Sequence, residues 1–367
     1  MDKLKIIISG GGTGGHIFPA VSIAGEFKAR FPGCEILFVG ATGRMEMEKV
    51  PKAGYKIIGL PVMGFPRKPG FNTLLFVFRF LQSMIKARSI VKSFQPDIAI
   101  GVGGYASGPL LRAAIAHKIP SLIQEQNSFA GKTNKWLSKE AGCICVAYEG
   151  MERYFPEEKL VLTGNPVRAS LFSEVHAREE ALAWFKLPEN GKTLLITGGS
   201  LGARSLNNAV LHNLDRFRDS GYSVIWQTGS FYFEEMVEKT KGNLPENFLI
   251  LQFVDRMDLA YAASDMVVSR AGAGTISELC LAGKPVILVP SPNVAEDHQT
   301  KNAMSLVHKG AAVLIKDSEI EAKLFTEISA LLINPQMMND LSANIRHMAK
   351  PDATSRIVDE ALKLIKK

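Results

Sequence analysis

The chain has 367 residues and a formal net charge of +7, room for about two domains of roughly 150 residues each. The basic excess suits anionic partners of several kinds, nucleic acid, phosphorylated metabolites or an acidic membrane face, and selects none of them by itself. Four scattered cysteines, Cys34, Cys143, Cys145 and Cys280, make no C-x-x-C pair, which argues against structural zinc and for a reducing compartment.

The apolar start, Leu4 to Ile8, is too short for a secretory signal and runs straight into glycines. No window reaches the roughly 18 apolar residues of a membrane span. The expectation is a protein kept in the cytoplasm and able to touch a membrane.

In chain order, short apolar runs alternate with longer amphipathic ones, the pattern of a parallel sheet covered by helices. The first half offers strands at KIIIS (5–9), EILFVG (35–40), DIAIG (97–101), PSLIQ (120–124) and CICVA (143–147). After VLTGNPVRASLF (161–172) the pattern restarts with TLLIT (193–197), SVIWQ (223–227), FLILQ (248–252), DMVVS from Asp265, PVILV (285–289) and AAVLI (311–315). In both halves the first strong strand ends in a glycine-rich turn, Gly10 to Gly15 and then Gly198-Gly199-Ser200-Leu201-Gly202. This repeated punctuation predicts an α/β fold of two Rossmann-like, doubly wound domains facing a central cleft, joined near Asn165 to His176. Ligands in such sheets gather at the carboxyl ends of the strands.

Gly10-x-Gly12-x-x-Gly15 formally matches the dinucleotide fingerprint. The second strand, however, ends in Gly40 and Ala41 where an acidic residue would hold a ribose, which argues against NAD or FAD. Glycines at this position let a backbone approach a ligand and aim helix N-terminal N–H groups at an anion; a tight turn needed only for packing is the alternative. TGGSLGARSLN repeats the helix-start chemistry and adds the Ser200 hydroxyl. In SRAGAGTISEL, Glu278 is placed either to accept from a ribose diol or simply as a favourable charge near a helix N-terminus. EDHQTKNA puts Asp297, His298 and Gln299 at another helix start. GVGGYASGP (101–109) and QEQNSFAGKTNKWLS (124–138), the latter with Glu125, Gln126 and Asn127, follow two further strands. So many polar and glycine-rich strand ends predict one large, mostly anion-facing site.

GGGTGGHIFPA, GVGGYASGP, QEQNSFAGKTNKWLS, TGNPVR, TGGSLGARSLN, FVDRM, SRAGAGTISEL and EDHQTKNA, in this order, closely resemble the MurG family of peptidoglycan N-acetylglucosaminyltransferases. The likeness runs over nearly the whole chain. It implies the two-domain glycosyltransferase B architecture, with residues 1–165 and a C-terminal helix at 350–367 forming the acceptor and membrane-associated domain, and 166–349 the donor domain. It further implies inverting transfer of N-acetylglucosamine from UDP-N-acetylglucosamine to the 4-hydroxyl of undecaprenyl-diphospho-muramoyl-pentapeptide, lipid I, giving lipid II, with no metal and no cofactor. By the family pattern Thr13, Gly14, Gly15, Asn127, Arg168, Ser200 and Gln299 bind the donor, and the Val254 backbone reads the uracil. Ala273, Gly274, Thr275, Ile276, Ser277 and Glu278 surround the ribose and diphosphate, while Gly103, Gly104, Tyr105 and Ser107 are the expected acceptor-binding residues. His298 stands where other members carry the first of two adjacent glutamines.

An inverting transfer needs a base near the acceptor hydroxyl. His16, whose ordinary pKa lies nearest neutrality, emerges at the exit of the first loop and is the first candidate; Glu125 is the second. A histidine that orients a phosphate or caps the helix is the alternative. Residues 64–94 combine four phenylalanines between Phe71 and Phe80 with Arg67, Lys68, Arg79, Lys86, Arg88 and Lys92. The apolar arc from Leu74 to Ile85 covers roughly 200°, about twice what one core face needs, so its surplus is expected on lipid; a helix wholly buried in the core is the alternative. The expected partners are thus UDP-N-acetylglucosamine, lipid I, the cytoplasmic membrane surface with anionic lipids and, by resemblance, other cell-wall synthesis proteins, with peripheral attachment at the inner membrane's cytoplasmic face. No recognisable nucleic-acid module is present. A UDP-N-acetylglucosamine 2-epimerase of the same fold and a non-catalytic nucleotide binder are the rivals.

Overall fold

A computed structural model describes residues 4–12, 14–64, 71–167, 171–172 and 174–366. The chain divides into two compact units, Met1–Arg168 with Lys350–Lys367, and Ala169–Ala349.

The first unit runs β1 (Lys5–Gly10), α1 (Gly14–Arg30), β2 (Glu35–Ala41), α2 (Glu46–Lys52), β3 (Lys56–Leu60), α3 (Phe71–Phe94), β4 (Ile98–Gly103), α4 (Ser107–Ala116), β5 (Ser121–Glu125), α5 (Lys132–Leu137), β6 (Cys143–Val146) and β7 (Leu160–Leu162). The seven strands are parallel, in the order β3-β2-β1-β4-β5-β6-β7. Ile6, Ile7 and Ile8 of β1 are fully buried, because a central parallel strand is covered on both faces and needs an unbroken apolar run. β3 and β7 were not foreseen as strands. Both are edges: β3 begins on exposed Lys56 and stays half-buried until Leu60, and all three residues of β7 are half-buried.

The second unit runs α6 (Arg178–Phe185), β8 (Thr193–Thr197), α7 (Arg204–His212), α8 (Leu214–Ser220), β9 (Ser223–Gln227), α9 (Phe233–Thr240), β10 (Phe248–Leu251), α10 (Met257–Ala263), β11 (Met266–Ser269), α11 (Ala273–Ala282), β12 (Val286–Leu288), α12 (His298–Val307), β13 (Val313–Leu314), α13 (Ile320–Leu332) and α14 (Pro335–His347). Its six strands are parallel in the order β10-β9-β8-β11-β12-β13. The last helix, α15 (Ala353–Ile365), returns to the first unit. There Ile357, Val358 and Ala361 join the core formed by Ile6, Ile8, Ile17 and Phe27, and Arg30 of α1 pairs with Asp359 at 2.6 Å.

Strand order reverses between β1 and β4 in the first sheet and between β8 and β11 in the second. At such reversals the flanking loops diverge and leave a crevice at the strands' carboxyl ends. The loops there are Gly11–Gly12 and Gly104–Ala106 in one unit, Gly198–Ala203 and Arg270–Gly272 in the other, the same glycine-rich turns that the sequence marks.

Candidate active site

In the first unit the β1 and β4 loops touch through bare backbone. A Cβ built on Gly103 would lie 2.6 Å from His16 Cδ2 and 2.8 Å from its Nε2, and one on Gly104 would collide with the Gly11 carbonyl. Both glycines hold positive φ, +107° and +88°, where a side chain would also be strained. His16, third residue of α1 and half-buried, lies with Nδ1 3.1 Å from the Gly11 carbonyl oxygen. A carbonyl only accepts, so Nδ1 carries the proton and the basic nitrogen of the neutral ring is Nε2.

Two expected site residues are engaged in building these loops. Ser107 is fully buried, its hydroxyl within donating distance of the Ser9 carbonyl (3.0 Å) and the Gly103 carbonyl (2.8 Å); it holds the β4 turn against β1. Glu125, at the end of β5 and buried, accepts from the Asn127 amide at 3.1 Å and side chain at 3.3 Å, the Gly131 amide at 2.9 Å and Asn134 Nδ2 at 2.8 Å. A carboxylate that accepts from four donors shapes the loop that carries Asn127. Tyr105 is half exposed on the same rim.

The structure also supplies the carboxylate that the dinucleotide pattern lacked at the second strand. Glu46, first residue of α2 and fully buried, accepts from the Ala41 amide at 2.8 Å and the Gly12 amide at 2.9 Å. It is spent on backbone. Nothing local in the sequence marks it, because its partners are main-chain groups, one of them 34 residues away.

In the second unit, exposed Ser200 lies on the turn before α7, and Ala273 opens α11 after Gly272. Glu278 sits in the second turn of α11 with Tyr261 OH 3.5 Å from Oε2. Gln299 Oε1 accepts from the Ser291 amide at 2.9 Å. These loops share an unforeseen brace in Arg270: its guanidinium donates to the Val289 carbonyl at 3.0 Å, Asp317 at 2.5 Å and Ser205 at 2.8 Å. It thus ties the ends of β11 and β12 to the first turn of α7. Val254 is buried beside a cavity of about 340 Å³ that is also lined by Trp184, Phe253 and Arg256. Arg256 grips Asp258 through Nε at 3.0 Å and Nη2 at 2.7 Å, and this hydrogen-bonded guanidinium holds the Asp258 carboxyl below its ordinary range.

Thr13 and Arg168 lie outside the described residues, as do Arg67 and Lys68. On α3, Ser83, Ala87, Ile90 and Val91 face the core, while Leu74, Val77, Phe78, Leu81 and Ile85 are exposed. At 100° per residue those five fall within an arc of about 100°. Arg79, Lys86, Arg88 and Lys92 are exposed on the same helix. Among the described residues no helix is long and apolar enough to cross a membrane, and no group of three or more His, Cys, Asp or Glu is placed to hold a metal ion.

Residues 6–146 match the glycosyltransferase family 28 N-terminal domain and residues 193–357 its C-terminal domain. The crystal structure of MurG from Acinetobacter baumannii aligns over 98% of this chain and 99% of that one, with a TM-score of 0.78 and 28% identity. UDP-GlcNAc 2-epimerase from Neisseria meningitidis, solved bound to UDP-GlcNAc, aligns over 98% of this chain and 100% of that one with a TM-score of 0.67. At 14% identity that second likeness is one of fold. The architecture is therefore that of the two-domain B-type glycosyltransferases. A relative from Parabacteroides distasonis, 55% identical over the whole of both chains, is named UDP-N-acetylglucosamine–N-acetylmuramyl-(pentapeptide) pyrophosphoryl-undecaprenol N-acetylglucosamine transferase. The chain belongs to the MurG family.

Proposed function

We propose that this chain transfers N-acetylglucosamine from UDP-N-acetylglucosamine to the 4-hydroxyl of the lipid-linked muramoyl-pentapeptide, with inversion. The observation that carries this is the 55% identity over the full length of a relative bearing that activity in its name. The loops at both strand-order reversals support it. In the second unit, Ser200, the α11 start from Ala273 to Glu278, Gln299 and the Val254 backbone take the nucleotide sugar, and Arg270 keeps those loops together. The main-chain amides at the starts of α7 and α11 carry the negative charge that builds on departing UDP.

In the first unit the acceptor rests on the Gly103–Gly104–Tyr105 rim, Gly14 and Gly15 bring α1's amides to the donor, and His16 Nε2 receives the acceptor proton. The tautomer supports this role: Nδ1–H is held by a carbonyl, so the lone pair sits on Nε2, beside Gly103. The exposed apolar face of α3, continued by Arg88 and Lys92, rests on the anionic membrane that holds the acceptor's lipid. Kinetics of His16→Ala test the assignment. Turnover should fall by about 10²–10⁴ with donor affinity little changed; near-normal turnover removes His16 from the mechanism.

A further inference from the structure

We propose that Glu46 is a positioning residue that sets the tautomer of His16 through a single peptide group. The link rests on the assignment of His16 as base, but its geometry is independent of it. The Gly12 N–H that Glu46 Oε2 accepts at 2.9 Å and the Gly11 carbonyl that meets His16 Nδ1 at 3.1 Å belong to the same peptide bond. A planar trans peptide points its N–H and C=O in opposite directions. A carboxylate on one side and an imidazole N–H on the other therefore clamp this unit at both ends. The anion polarises the peptide and makes the Gly11 oxygen a stronger acceptor, since hydrogen bonds in a chain reinforce one another. That favours Nδ1–H and leaves the lone pair on Nε2.

The packing is committed to this arrangement. A Cβ on Gly11 would collide with Glu46 Oε1, and one on Gly40 would come within 2.5 Å of Glu46 Cγ. Both glycines are bare where the carboxylate passes. Glu46 is fully buried and its other oxygen holds the Ala41 amide at 2.8 Å, pinning it to the end of β2. Gly104 then closes over the Gly11 carbonyl from the β4 side. A buried carboxylate is costly, and here its two oxygens fix the one peptide that orients the ring.

The test is ¹⁵N NMR of the histidine rings in protein labelled at histidine, comparing wild type with Glu46→Gln. Wild type should show His16 with a protonated Nδ1, and the amide variant a mixture of tautomers. Turnover of the variant should fall about 10- to 100-fold, less than when a carboxylate touching the ring directly is lost. In a His16→Ala background the same change should add less than about threefold, because both act through one group. An unchanged tautomer in Glu46→Gln, or losses that multiply in the double variant, would overturn the proposal. If Glu46→Gln does not fold, Glu46→Asp, which keeps the charge but shortens its reach, gives the same readout, and a wild-type tautomer there would overturn it equally. Should His16→Ala retain turnover, the base assignment fails, while the NMR comparison still judges the Glu46 link.

Discussion

Replacing Leu74, Phe78 and Ile85 with serine should release the protein from acidic vesicles while leaving its chemistry intact. These side chains stand 71%, 65% and 69% exposed on one face of α3. Full burial of a Leu, Ile or Phe side chain is worth about 1.5–3 kcal/mol, so covering the exposed two-thirds is worth about 1–2 kcal/mol each. A headgroup interface withdraws them from water only in part, which favours the lower end, about 3 kcal/mol for the three. At 1.4 kcal/mol per factor of ten, partition should drop about 100-fold. Arg88 and Lys92 add about 1 kcal/mol each near an anionic surface, a contribution that salt screens. The two forces therefore separate: salt weakens binding of both proteins, while the serine substitutions remove the part that persists in high salt. Co-sedimentation with vesicles of varied acidic-lipid content and ionic strength reads this directly. The core face, Ser83, Ala87, Ile90 and Val91, is untouched, so the melting temperature and transfer to a short-chain acceptor should hold. Undiminished partition of the triple variant, or collapse of its melting temperature, would refute the assignment of this face to the membrane.

Three further outcomes follow from the site. Glu125→Gln replaces one carboxylate oxygen by an NH₂ group and leaves two of the four donors without an acceptor, at about 1.5–3 kcal/mol each, so the urea midpoint should fall and donor binding weaken with it; an unchanged midpoint contradicts the loop-holding role. Arg270→Lys keeps the charge but loses the fork that spans Val289, Asp317 and Ser205, so the donor KM should rise about tenfold with the acceptor KM unchanged; wild-type kinetics would remove Arg270 as a brace. The Arg256 hydrogen bonds depress the folded pKa of Asp258, so the resulting stability is fully present above its unfolded value near pH 4 and is lost as pH falls through the lower folded one. Arg256→Gln should raise the midpoint of acid unfolding followed by circular dichroism, and an unmoved midpoint would show that the pair does not stabilise the fold.

Much of this is legible in the chain because central parallel strands advertise themselves. β1 and β8 are short apolar runs that lead into glycine-rich turns, and their loops fall at the strand-order reversals, where such sheets bind ligands. The edges β3 and β7 are less visible, since they are mostly half-buried and neither is followed by a glycine-rich turn like those after β1 and β8. The surplus apolar arc of α3 is readable as a second face, and the structure separates it from the core face. Glu46 and Arg270 escape because their partners are mostly main-chain groups or side chains distant in sequence, which no spacing rule encodes. Glu125 and Ser107 are visible as polar residues at strand ends, but only coordinates reveal that their hydrogen bonds are spent on the loops.

Incubation with labelled UDP-N-acetylglucosamine and a short-chain lipid I analogue, in the presence of EDTA, tests the central claim most directly. Label should move to the acceptor in a β-1,4 linkage at an undiminished rate, and the nucleotide sugar alone should remain unconsumed. Loss of turnover in the chelator, an α-linked product, or conversion of the nucleotide sugar to its 2-epimer without acceptor would contradict the account.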